Sequence, residues 1–149
     1  MNEINKLSSF RSIHESIHEK AAFWAKHQHK FVSDDFLERL EDINHKELDT
    51  QSIGIIEIDD KGKILYFNDT ESKQTGLKKE QVLNKNFFTE VAICTNNLLF
   101  RSIFEQGVLD NHLNHLLPYV FTYKMDPIFV KIHLYRTKTK RNFILIKRD

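Results

Sequence analysis

Three groups of residues in this sequence are of types that can do chemistry. The first is Cys94, the only cysteine in 149 residues, set in NFFTEVAICTNN (86–97) after two adjacent phenylalanines. With no second thiol it forms no internal disulfide, which leaves a small buried apolar side chain, a nucleophile, or a point of covalent attachment. Nucleophilic catalysis needs a base and a group to orient that base. His112, His115 and His133 are available imidazoles, but no local protease signature accompanies Cys94.

The second group is HESIH (14–18), the spacing that places two histidines and a glutamate together on a helix for zinc. It lies near the N-terminus, no third ligand follows at a recognisable spacing, and Ile13 and Ile17 read as packing positions, so a solvated helix is expected. His27 and His29 beside Trp24 form a second histidine-rich patch, read as exposed rather than metal-binding. No metal site is expected. The third group is Glu71 in NDTES. Asn68 followed three residues later by glutamate has the form of a capping box, whose glutamate reaches back to the cap N–H. A buried carboxyl that holds or releases a proton is the other reading of the same residue.

The elements that must position these groups change character along the chain. Ile4, Leu7, Phe10, Ile13, Ile17, Ala21 and Trp24 recur every three or four residues, so the chain to about Leu48 reads as helical. A second short helix is expected after Ser33, with Asp34 and Asp35 at its positive end and a stripe of Phe36, Leu37, Leu40 and Ile43. From Ser52 the texture is strand-like: IGIIEID (53–59) and KILYF (63–67) flank DKG, a hairpin whose Gly62 supplies a positive φ. Short helical pieces through NDTESKQTG and KKEQVLNKN come next, then a longer helix carrying Leu98, Leu99, Phe100, Ile103, Phe104 and Val108. LPYVFTYKM, IFVKIHLYR and NFILIKR read as three closing strands, separated by Pro127 and the TKTKRN turn. The fold class is α+β: a five-stranded antiparallel sheet with helices on one face, preceded by an N-terminal helical cap. The expected division is 1–48 as cap and extension and 49–149 as the sheet domain.

Composition narrows the function classes. Twenty-two basic and 21 acidic residues nearly cancel, so nucleic acid and anionic membranes are not expected partners. Hydrophobic residues at 40% with twelve phenylalanines fit a globular core. The N-terminus lacks an apolar signal region, no run reaches the length of a membrane span, and a single cysteine fits a reducing compartment; a cytoplasmic location is expected.

From about Ser33 to Arg136 the sequence resembles the photoactive yellow protein family, blue-light receptors built on a PAS domain. The resemblance is carried by IGIIEID, GKIL followed by Asn68, Glu71 with Thr75–Gly76, NKNFFTEVAICT, FRSIFEQGVLDNHLN, YVFTYKM, VKIH and the final KR. A generic PAS domain has no reason to share KNFFTEVAICT or to place its one cysteine there.

The resemblance implies that Cys94 carries p-coumaric acid as a thioester, with its main-chain N–H on the chromophore carbonyl. It implies that Glu71 is a protonated acid hydrogen-bonded to the chromophore phenolate, that Thr75 supports that network, and that Phe87, Val91, Phe121, Tyr123 and Met125 wall or gate the pocket. Three positions depart from the family. Phe67 stands where a tyrosine donates to the phenolate, Leu77 where an arginine shields it, and Ile93 where a proline precedes the cysteine. Tyr66 does not replace the missing donor, because adjacent strand residues point to opposite faces.

The implied function is a sensor rather than a turnover enzyme. Light isomerises the chromophore, Glu71 gives up its proton, and the N-terminal helices, covering the sheet face away from the pocket, loosen. The expected partner is a downstream signalling protein of unknown identity, with a homodimer through the N-terminal helix as a further expectation. A PAS sensor or interaction module without the chromophore, and a cysteine hydrolase, are the rival readings.

Overall fold

The structure, a computed structural model, describes residues 30–122 and 127–148. The expected helix from Ile4 to Trp24, HESIH, the His27–His29 patch and the pocket candidates Tyr123 and Met125 lie outside the described residues.

Two short helices open the described chain, α1 (Asp34–Arg39) and α2 (His45–Leu48). Each starts where a side chain replaces a missing helical partner: Ser33 Oγ accepts from Phe36 N–H at 3.1 Å and Asn44 Oδ1 from Glu47 N–H at 2.9 Å. The hairpin follows as β1 (Gly54–Ile58) and β2 (Ile64–Phe67), then α3 (Asp69–Thr75), α4 (Lys79–Val82), a π-helical turn (Phe87–Val91), a 3-10 turn (Ile93–Thr95) and α5 (Phe100–Leu109). The chain closes with β3 (Asn114–Phe121), β4 (Ile128–Arg136) and β5 (Asn142–Arg148). These strands form one antiparallel sheet in the order β2-β1-β5-β4-β3.

Two boundaries differ from the sequence expectation. α5 begins at Phe100 rather than at the Leu98–Leu99 pair, because Asn97 Oδ1 accepts from the N–H groups of both Leu99 and Phe100 at 2.9 Å. Leu98 and Leu99 consequently stand exposed, at 90% and 55%. β3 begins at Asn114, three residues before Leu117, because Asn114 pairs with Tyr135 in the β4 ladder. Pro118 is tolerated inside it because β3 is an edge strand.

Side-chain alternation divides the core in two. On one face Ile56, Ile58, Ile132, Leu134, Ile144 and Ile146 meet Phe87, Phe88, Phe100 and Phe104 from the segments after β2. Phe87 and Phe88 pack edge to face at 5.1 Å, and Phe88 meets Phe104 at 5.5 Å. On the other face Ile55, Phe143 and Leu145 are covered by Leu37 of α1, Leu48 of α2, and Leu40 and Ile43 from the segment that joins them. Helices thus cover both faces, with α1 and α2 on the one away from the phenylalanine-rich core. Two-sided coverage is also why β1 is buried at all five positions.

Polar clamps fix α1 and α2 to the sheet. Arg141 forks onto Glu57 at 2.9 and 3.1 Å while its Nη1 donates to the Ile43 carbonyl at 2.9 Å. Glu41 accepts from the N–H groups of Lys138 and Thr139, which pins the β4–β5 turn. Against the opposing effect of burial, these bonds hold the Glu41 carboxyl below the usual range.

Candidate functional site

The site is assembled around β1, β5 and the segment from Asn68 to Val91. Asn68 is completely buried and acts as the hub. Its Oδ1 accepts from the N–H groups of Ile55 (2.9 Å) and Glu71 (3.0 Å), and its Nδ2 donates to the carbonyls of Leu48 and Ile53 at 2.8 and 2.9 Å. These bonds tie the start of α3 to β1. Only half of the expected capping box is present: Asn68 caps Glu71, but the Asn68 N–H donates to the Ile55 carbonyl at 3.0 Å and Glu71 does not reach back.

The Glu71 carboxyl turns inward. It lies over Gly54, where an added Cβ would stand 2.3 Å from Oε1, so only glycine leaves room for it. Its side chain is 3% exposed and is gripped at both oxygens by Arg148. Arg148 Nη2 donates to Oε2 at 3.0 Å and Nη1 donates to Oε1. Arg148 Nη1 also donates to Gln74 Oε1 at 2.7 Å, and the guanidinium lies 5.9 Å from the Phe121 ring centre.

Beside this pair is a tight cavity of about 20 Å³, lined by Ile56, Phe67, Glu71, Thr75, Leu77, Phe87, Val91, Ala92, Phe121, Ile146 and Arg148. Of the expected pocket residues the structure therefore brings together Phe67, Glu71, Thr75, Leu77, Phe87, Val91 and Phe121. Phe67 is 1% exposed and faces the cavity. Tyr66 turns the other way, stacked on His45 at 4.2 Å and hydrogen-bonded to Asp49 and Lys79. Thr75 Oγ1 donates to the Glu71 carbonyl at 2.8 Å and accepts from Leu77 N–H at 3.2 Å, so it braces the end of α3.

Cys94 is half-buried against the same core but is not one of the cavity walls, whereas Ala92, two residues earlier, is. The segment that carries it is anchored at both ends. Asn86 Oδ1 accepts from Phe88 N–H at 2.9 Å and Thr89 N–H at 3.1 Å, and Phe87 N–H donates to the Gly62 carbonyl at 2.8 Å. Gly62, at φ 93°, is needed twice over, since a side chain there would also strike Phe88. At the far end the Cys94 carbonyl accepts from Tyr119 Oη at 2.6 Å and Asn97 Nδ2 at 2.9 Å. Burial pushes the Tyr119 phenol up, so it stays a donor. Ile93, which precedes the cysteine, is 63% exposed.

Residue-by-residue reading of the sequence missed Arg148, Tyr119 and Asn97. Arg148 was legible by parity: Ile144, Ile146 and Arg148 alternate along β5 onto the cavity face. Tyr119 and Asn97 carry no comparable signal, because their contact joins a loop to a strand 22 residues away. Among the described residues, no group of three or more His, Cys, Asp or Glu could hold a metal ion, and no helix is long and apolar enough to cross a membrane.

Comparison with known proteins agrees with this geometry. The sequence profile of the PAS fold matches residues 44–137. Photoactive yellow protein from Rhodothalassium salexigens is 37% identical over 120 residues, 80% of this chain and 96% of that protein. The one from Halochromatium salexigens is 35% identical over 119 residues, 79% and 95% of the two chains. Among solved structures, the photoactive yellow protein domain of the sensor histidine kinase Ppr from Rhodospirillum centenum superposes with a TM-score of 0.70 at 33% identity, covering 75% of this chain and 99% of that one. PAS domains of this kind are sensor modules of signalling proteins, and the chain belongs to the photoactive yellow protein family of PAS domains.

Proposed function

We propose that this chain is a blue-light receptor that carries p-coumaric acid as a thioester on Cys94. The observation that carries the reading is one cavity in which three aromatic rings, Phe67, Phe87 and Phe121, flank a buried carboxyl, Glu71, with the chain's sole cysteine two residues beyond the wall residue Ala92. Flat apolar walls with one polar end suit a planar phenol. When bound, the p-coumaroyl group supplies a light-driven trans-to-cis isomerisation.

The chain's own residues do the rest. The Cys94 thiolate attacks the carbonyl of an activated p-coumaroyl thioester, forming the new C–S bond and releasing the original thiol, so a separate ligase must act upstream. Tyr119 and Asn97, by holding the Cys94 carbonyl, fix the backbone on the C-terminal side of Cys94, whose own N–H serves the thioester oxygen. Glu71 holds a proton toward the phenolate in the dark and gives it up after isomerisation. Val91 and Leu77 exclude water from the cavity, and Tyr123 and Met125 gate it in the family manner. Residues 1–48 act as the cap and 49–149 as the PAS unit. The output is release of the cap from the outer face of the sheet toward a downstream signalling partner or a second copy, in the cytoplasm.

Reconstitution with an activated p-coumaroyl ester tests the reading. A visible band should form, bleach in blue light and return in the dark, and amide exchange should rise across 30–48 more than across β3 to β5. A folded protein that takes up no colour would instead be a PAS sensor module without the chromophore. Steady ester turnover would mark a hydrolase.

A further inference from the structure

We propose that Arg148 is a positioning residue that captures the Glu71 carboxylate after it has given up its proton, and so sets how long the light-activated state lasts. The inference rests on the proposed attachment at Cys94. It starts from the fork between Arg148 and Glu71, whose side chains are only 12% and 3% exposed. Both stand at the cavity wall, beside Phe67 and Leu77, whose side chains can neither donate a hydrogen bond nor carry a charge.

Charge conservation gives the pair its role. A phenol entering beside the Glu71–Arg148 pair can pass its proton to Glu71. This leaves one negative charge, now on the phenolate oxygen, and the single positive charge of Arg148. After isomerisation the proton travels back from Glu71 to that oxygen, and the negative charge returns to the Glu71 carboxylate. In most apolar pockets a bare carboxylate would be a large penalty. Here its two oxygens meet a two-pronged donor already held by Gln74 and backed by the Phe121 ring. Arg148 touches the charge directly when it sits on Glu71 and only through Glu71 when it sits on the phenolate. A partner shifts an equilibrium only by its differential contact with the two states, and this difference favours the light state. With leucine at position 77, Arg148 is also the only cation lining the cavity among the described residues.

The test compares Arg148→Gln and Arg148→Lys with the wild type, before and after loading. In the unloaded protein, Arg148→Gln and Glu71→Gln should be strongly non-additive in the urea midpoint, because each leaves the other's partner stranded. In the loaded protein, Arg148→Gln should shorten the dark-recovery time at least tenfold and shrink the infrared carboxylate signal that Glu71 gains on illumination. Arg148→Lys, which keeps the charge without the fork, should recover at an intermediate rate. If Arg148→Gln does not load, Arg148→Lys decides the matter: a recovery time equal to the wild type overturns the proposal. Additive midpoints, or unchanged recovery and infrared signal in Arg148→Gln, overturn it as well while leaving the photoreceptor reading intact. A wild type that gains no adduct by mass overturns the photoreceptor reading and this proposal with it.

Discussion

Tyr66 and Phe67 are neighbours on β2 and point to opposite sides of the sheet. Tyr66 is stacked on His45 and bonded to Lys79 at 2.7 Å, whereas Phe67 is buried in the cavity wall. The cavity therefore has no phenolic donor at residue 67, and the neighbouring Tyr66 is committed elsewhere.

The first prediction follows from that placement. Negative charge on a phenolate oxygen is stabilised by donors at that oxygen, and excitation moves the charge away, so each donor shifts absorption to shorter wavelength. Phe67→Tyr should shift the band of the loaded protein blue and lower the pH at which acid removes the phenolate. A charged hydrogen bond worth about 1.5–3 kcal/mol corresponds to roughly one to two pH units. Spectrophotometric titration of both proteins measures the two shifts together, and no change in either would mean that residue 67 does not face the phenolate.

The clamp between the cap and the sheet gives the second. Glu57 is 6% exposed and shared by Arg141 and His45, at 2.9 and 3.2 Å. Glu57→Gln removes the charge that pairs the part-buried Arg141, and losing one partner of a buried pair costs about 3 kcal/mol or more. Chemical unfolding should show that loss with the slope unchanged. Replacing the exposed Lys46 should change the midpoint little.

A third concerns pH. His133, on the cap side of β4, is 1% exposed, bonds Asn114 Oδ1 at 2.6 Å through Nε2, and has no partner for Nδ1 among the described residues. Burial first, then repulsion from Lys30 and His115, against attraction from Asp34, pulls its pKa down to about 4. The unfolded imidazole titrates near 6.5, so between pH 6.5 and 4 the unfolded chain binds a proton that the folded chain refuses. Stability is therefore complete above about 6.5 and is lost as pH falls, by roughly 2–3 kcal/mol at pH 4 from this residue. His133→Phe should flatten that part of the stability profile relative to wild type, measured as urea midpoints across the range.

Much of this architecture was legible in the sequence, and the limits have physical causes. The hairpin around Gly62, the closing strands and the start of α1 after Ser33 follow from local rules of alternation, turn chemistry and capping. The pocket walls at Phe67, Phe87, Val91 and Phe121 were reached through the family resemblance along the chain, and the structure gathers them into one cavity. Glu71 shows where local reading stops. Its spacing from Asn68 correctly gives the cap, but its carboxyl goes to Arg148, 77 residues on, which no local pattern encodes. The starts of α5 and β3 were displaced for the same kind of reason: a side-chain cap from Asn97 and cross-strand pairing to Tyr135 decided them.

The central claim is that Cys94 bears the chromophore, and intact-mass spectrometry of the protein after incubation with an activated p-coumaroyl ester tests it most directly. The wild type should gain the mass of one p-coumaroyl group, lose it under mild base or a strong thiol as a thioester does, and show no gain in Cys94→Ala. A folded wild type of unchanged mass, or an equal gain in Cys94→Ala, would contradict the claim.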